Sequence, residues 1–153
     1  MLEYRIDPDG EYVFRDDVTP ERRAFILAAM RGEVLLMPED VCAAIDRERD
    51  RRVHTRFQFD GVWYQCREQD VVNITGAGAT ALASLVAGTP WPAGFVWIAE
   101  DNSRVPMTAA EVIGLGNAYT AFRSALIFKA SDLKALVRAG GTVDHLSDAA
   151  WEP

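Results

Sequence analysis

The chain predicts an α+β fold: an N-terminal β-hairpin plus helix, then a tandem hairpin–helix repeat with a long C-terminal helix. Three observations predict it. Phe57 to Tyr64 and Phe95 to Met107 carry the alternation of strands around turns at Asp60-Gly61 and Asp101-Asn102-Ser103. Each hairpin leads into an alanine-rich run, Val71 to Ala87 in the first copy and Thr108 onward in the second. Shifted by forty residues, the copies overlay Val72 on Val112, Gly76 on Gly116, Thr80 on Thr120, Ala81 on Ala121 and Leu82 on Phe122.

From the start of the chain, Leu2, Tyr4 and Ile6 alternate with polar neighbours as a half-buried strand does. Asp7-Pro8-Asp9-Gly10 is a turn, and Tyr12 and Phe14 resume the alternation. Thr19-Pro20-Glu21 then opens a helix, with Thr as the cap, Pro in the first turn and an acid facing the dipole. That helix is expected to stop at Gly32. Val34 to Met37 fits either a strand or a linker. A second helix begins at Pro38-Glu39-Asp40 and becomes strongly charged from Arg47 to Arg52, where Glu48 and Arg52 are spaced to pair across one turn. The organisation expected is a hairpin–helix module over residues 1–37 and an α+β domain over residues 38–153.

Within the first alanine-rich helix, Asn73, Thr75, Gly76 and Gly78 lower helix propensity, each Gly by up to about 1 kcal/mol relative to Ala. Close approach of another helix or sheet is the expected reason they are tolerated. Pro106 belongs at an edge or ladder end. Thr108-Ala109-Ala110-Glu111 is a capping box. The helix it opens should reach Ala139, with a kink near Lys129 and Ser131-Asp132. Its apolar stripe is too wide for a two-stranded zipper seam and reads as the buried face of a domain helix. Trp151 is expected to fold back onto apolar surface.

Composition narrows the function classes. The charge of −7 argues against a nucleic-acid backbone as the main partner, because phosphate binding needs an excess of Lys and Arg. No unbroken run of about 18 apolar residues is present, so no membrane span and no membrane partner are expected. The N-terminus has no apolar stretch of the secretory kind. Cys42 and Cys66 read as reduced, partly buried thiols. His54 and His145 lie far apart without ligand spacing, so no metal site is expected.

The segment Val71 to Ala81 loosely imitates the strand, glycine turn and helix of a dinucleotide-binding unit. It follows a hairpin and opens no parallel βαβ unit, so small residues in a packed helix are the preferred reading. The acid pairs Asp16-Asp17, Glu39-Asp40 and Glu100-Asp101 sit at turns or helix starts, where acids belong without chemistry. No catalytic residue, cofactor or enzymatic activity is expected. The candidates for a protein interface are Trp91, Arg47, Arg51, Arg52, Tyr4 and Tyr12. Trp91, inside Pro-Trp-Pro, is expected to be an exposed anchor, whereas Trp63 and Trp97 are assigned to the core.

Several of these features recur together in one family. A charged helix ending at Arg47 to Arg56 is followed by Phe57-Gln58-Phe59-Asp60-Gly61, an alanine-rich helix and the Pro-Trp break. Trp97, the Asp101-Asn102 turn, Thr108-Ala109-Ala110-Glu111 and the ending Thr142-Val143-Asp144-His145-Leu146 with Trp151 complete the pattern. Residues 43–151 thereby resemble DUF4376, a phage-encoded domain family of unknown function whose members occur in bacteriophage and prophage tail regions. Arg67-Glu68-Gln69-Asp70 and the glycines after it depart from the usual opening of the first helix, and residues 1–37 lie outside the resemblance. The resemblance implies a structural tail component, at the fibre or baseplate, that contacts other phage tail proteins and copies of itself as a homo-oligomer. It would be made in the bacterial host cytoplasm and located in the virion. The alternatives are a tail-fibre assembly chaperone absent from the virion and, from the glycine segment, a small nucleotide-binding enzyme.

Overall fold

The computed structural model describes residues 3–8, 10–31 and 37–152. Its backbone contacts divide the chain into two units, residues 1–43 and 44–153, with the division inside one helix. The boundary expected from sequence, 37/38, falls just before that helix.

The first unit pairs β1 (Tyr4–Ile6) with β2 (Tyr12–Phe14) antiparallel, in the register Tyr4↔Phe14 and Ile6↔Tyr12. Gly10 closes the turn at φ +86°, a left-handed conformation that costs glycine little, and donates its N–H to Asp7 O at 3.0 Å. Tyr4 meets the edge of Tyr12 at 5.6 Å between ring centroids. The helix α1 (Pro20–Met30) starts as expected, Thr19 Oγ1 accepting the Arg22 N–H at 3.2 Å. The expected stop at Gly32 and residues 34–36 of the ambiguous run lie outside the described residues, as does Leu2.

The helix α2 (Pro38–Val53) crosses the division and delivers Ile45 and Val53 to buried positions. Next come β3 (Arg56–Phe59) and β4 (Val62–Gln65), α3 (Glu68–Ala87), β5 (Val96–Ile98) and β6 (Arg104–Pro106), and α4 (Ala109–Arg138). A 3₁₀ turn, Asp148–Trp151, is the last element. Asp60 and Gly61 both take positive φ, +47° and +78°, which matches the twist of the hairpin they join. Asn102 is left-handed at φ +65°, and Asp101 Oδ1 accepts the Ser103 N–H at 2.9 Å. Pro106 stands at the last rung of its ladder, where its missing N–H is harmless. The hairpins remain separate two-stranded sheets, joined by the Glu100 N–H donating to Trp63 O at 2.9 Å.

The core of this unit forms where β3, α3 and α4 meet. Phe57, fully buried, packs at 5.5 Å from Tyr119 and 6.0 Å from Tyr64, measured between ring centroids. Ile74 and Ala81 from α3 and Val112 and Leu115 from α4 complete it. Trp63 departs from the expectation: it is 43 % exposed, because the β3–β4 register that buries Tyr64 turns its neighbour outward. Trp97 is half-buried against the core. The helix α4 is continuous through Lys129, Ser131 and Asp132. Trp151 does fold back, 7 % exposed.

The hairpin–helix unit recurs, but burial puts the two helices in register at forty-one residues. The caps Arg67 and Thr108 then coincide, as do Ile74 with Leu115 and Ala81 with Phe122, all turned inward. The forty-residue overlay pairs Val72, 62 % exposed, with fully buried Val112. What does repeat at forty is a local bond: Thr80 and Thr120 each donate a hydroxyl to the carbonyl four residues back, of Gly76 and Gly116.

Candidate protein-binding surface

The charged end of α2 is wired inward before it offers anything outward. Glu48, 7 % exposed, accepts Arg51 Nη2 at 2.6 Å and Arg52 Nε at 2.7 Å. Arg52 reaches on to Asp148 Oδ1 at 2.8 Å, and its guanidinium lies 5.3 Å from the Trp151 ring centre. Trp151 in turn donates Nε1–H to His145 O at 2.9 Å, so the tail is clamped to α2. The hydrogen bond from Arg51 holds the Glu48 carboxyl below its ordinary range, against a burial effect of opposite sign. Two residues earlier, Asp46 accepts Lys134 Nζ at 2.6 Å, which lowers its pKa and ties α2 to α4.

The interface candidates from the sequence are thus scattered. Arg52 is a structural clamp, and Arg51 shares Glu48 while remaining largely exposed. Arg47 is exposed. Tyr4 and Tyr12 stand together on the first hairpin, in the other unit. Trp91 is half-buried and not free-standing: it packs 4.8 Å from Phe95 and donates Nε1–H to Met107 O at 3.1 Å. Nothing in Pro-Trp-Pro alone signals that internal acceptor.

Sequence reasoning missed the surface beside the clamp. Arg56 stacks its guanidinium 4.5 Å from the centre of the exposed Trp63 ring and pairs with Glu100 at 3.1 Å. From Trp63 a groove of about 840 Å³ runs across Phe122 and Phe128 of α4 to Trp151, flanked by Arg51 and Lys129. Phe128 is 69 % exposed. Aromatic rings bordered by arginine are the side chains that dominate protein contacts. The one available signal was register: Phe57 inward forces Tyr64 inward and Trp63 outward.

A second apolar surface lies on α3. Residues 68–87 form one continuous helix, so Gly76 and Gly78 are mid-helix and the strand–turn–helix of a dinucleotide site is not formed. Only Ile74, Ala81 and Ser84 of α3 are buried. The expected close approach at its glycines is also absent: among the described residues, no atom beyond the adjoining backbone of α3 itself lies within 4 Å of a Cβ placed at Gly76 or Gly78. By length and a mean hydropathy of 1.3, α3 would be able to cross a membrane, which the search for an unbroken apolar run overlooked.

Burial pushes the Cys66 thiol up to about 11 and raises the Tyr64 and Tyr119 phenols. Among the described residues, no buried side-chain polar atom lacks a hydrogen-bond partner. No group of three or more His, Cys, Asp or Glu stands close enough to hold a metal ion among them.

Comparison with known proteins gives one result. A family model described as a domain of unknown function, DUF4376, matches residues 37–150, which takes in α2 through α4 and ends one residue before Trp151. No curated protein and no solved structure matches the chain. With its charged helix, both later hairpins and both long helices inside that match, the chain belongs to the DUF4376 family.

Proposed function

We propose that this protein is a structural component of a bacteriophage tail, at the fibre or baseplate, acting through protein contacts. The tail setting comes from the family resemblance. The observation that carries the docking role is the groove from Trp63 to Trp151, with two exposed aromatic rings beside Arg51, Arg56 and Lys129. A surface of this kind gains affinity by desolvating large rings while guanidinium and ammonium groups at the rim orient the partner.

The test is mass spectrometry of purified phage particles, comparing wild type with a Trp63→Ala/Phe128→Ala variant. The expected result is the protein present in the particle, with the variant depleted at least tenfold while its Tm stays within a few degrees. Recovery on fibre subunits in infected cells, with none in the particle, would identify an assembly chaperone instead.

A further inference from the structure

The groove that starts at Trp63 is closed at its far end by the protein's own tail. Of residues 139–152, Trp151 alone is buried, and it stands outside the core cluster around Phe57. Among the described residues, residues 142–152 have one hydrogen bond to the rest of the chain. It runs from Arg52 Nη2 to Asp148 Oδ1, and the Asp148 side chain is 88 % exposed. The Trp151 ring meets the same guanidinium. An acid and an indole three residues apart are thus the tail's grip on Arg52.

The path back from α4 is a second, independent observation. Gly140 takes φ +84°, and a Cβ on Gly141 would stand 2.6 Å from Leu136 Cδ1 and 3.0 Å from the Leu136 carbonyl oxygen. Both donate their N–H to the last turn of α4, Gly140 to Val137 O at 3.0 Å and Gly141 to Leu136 O at 2.9 Å. Two adjacent glycines bring the tail round, and one ring anchors it. It can leave its seat without moving Phe57, Ile74 or Leu115.

The seat also shows which chemistry it accepts. Of the charged residues lining the groove, Asp148 and Glu152 belong to the tail. When they leave, Arg51, Arg52, Arg56 and Lys129 face Asp132 alone, a lining that favours an acidic segment. We propose that the groove binds a segment of a partner protein that repeats the Asp148–Trp151 pattern, an acid three positions before a large aromatic ring. The tail is displaced as that segment enters. Its tether gives the tail a high effective concentration at the seat. The partner offsets that advantage by covering Trp63 and Phe128, which stay 43 % and 69 % exposed with the tail in place. A segment without the acid and ring leaves the seat to the tail, so the tail acts as a selectivity filter. The inference rests on the docking role proposed above and adds the partner's chemistry.

NMR titration of the isotope-labelled full chain with a peptide of residues 142–153 tests it. Trp151→Ala vacates the seat, and this variant should bind the peptide at least tenfold more tightly than wild type, shifting the Arg52 Nε–H signal. Gly141→Val, which crowds Leu136 and pushes the tail off, should behave in the same way if Trp151→Ala fails to fold. Peptides carrying Asp148→Ala or Trp151→Ala should lose at least tenfold in affinity. Equal affinity of wild type and both variants, or no binding to any of them, would overturn the proposal. A wild-type dimer that Trp151→Ala abolishes would put a second copy's tail in the seat and overturn the partner. In purified particles Trp151→Ala should be retained where Trp63→Ala/Phe128→Ala is depleted. Its depletion would make the tail part of the docking surface and overturn displacement. A protein absent from particles removes the docking role, whereas the peptide titration reads the tail alone.

Discussion

The helices α3 and α4 open alike and end up in different roles. Thr108 and Glu111 exchange backbone hydrogen bonds at the start of α4, a full capping box. In α3 only half of it can form: Asp70 accepts the Arg67 N–H at 3.0 Å, but arginine has no acceptor to return. Beyond the caps, α4 buries a residue on nearly every turn, from Val112 to Val137. The neighbouring α3 buries one narrow strip and leaves Val72, Leu82, Leu85 and Val86 in solvent. Both helices are rich in alanine and small apolar residues. Apolar content therefore says that a helix needs partners, and only the distribution of large side chains says whether they lie inside the chain.

Substitutions can break that contrast, the most damaging first. Phe57→Ala should cost about 3–5 kcal/mol and Leu115→Ala about 2–5, because both side chains are fully buried where α4 meets β3 and α3. Denaturant unfolding measures this, and equal losses at Leu82 would erase the distinction between the helices. Glu48→Ala should cost about 1–3 kcal/mol by taking from the largely buried Arg52 its buried carboxylate and leaving it the exposed Asp148 alone. The pH dependence follows from the sign of the shift. The folded Glu48 pKa lies below the ordinary 4.5, so its contribution is complete above that value and fades as pH falls through the folded one. The variant should lose part of the wild type's stability slope on the acid side, read as Tm against pH.

The glycines sharpen the contrast with opposite signs. A Cβ at Gly114 of α4 would come within 2.9 Å of the Phe59 ring, so Gly114→Ala should destabilise by about 1–3 kcal/mol. At Gly76 of α3 the space is open, and Gly76→Ala should stabilise the fold by about 0.5–1 kcal/mol. The smallest effect is expected at Leu82→Ala, within about 0.5 kcal/mol.

Local chemistry was legible wherever neighbours in sequence settle it. Asp60-Gly61, Thr19, Thr108 with Glu111, and Pro106 each do what their covalent structure dictates, and among the described residues the hairpins and helices fall close to where the alternation, turns and caps put them. Contacts made at a distance were not legible. Nothing near Trp91 names the Met107 carbonyl as its acceptor, and nothing near Arg52 names Asp148. The Trp63 groove needs α2, β4, α4 and the tail together, and no single stretch carries its signature. The glycines of α3 misled because their low propensity invites a packing explanation, which the fold supplies at Gly114 instead.

The clamp between Arg52 and the Asp148–Trp151 turn has a mechanical corollary. The last turn of α2 and the Asp148–Trp151 turn lie side by side, so the clamp closes a loop of chain that holds β3 through α4 between its two ends. Tension applied through the tail would reach the guanidinium clamp first. The tail would peel from α2 before Phe57 and its neighbours carried any load, giving the body a sacrificial latch at its own doorway.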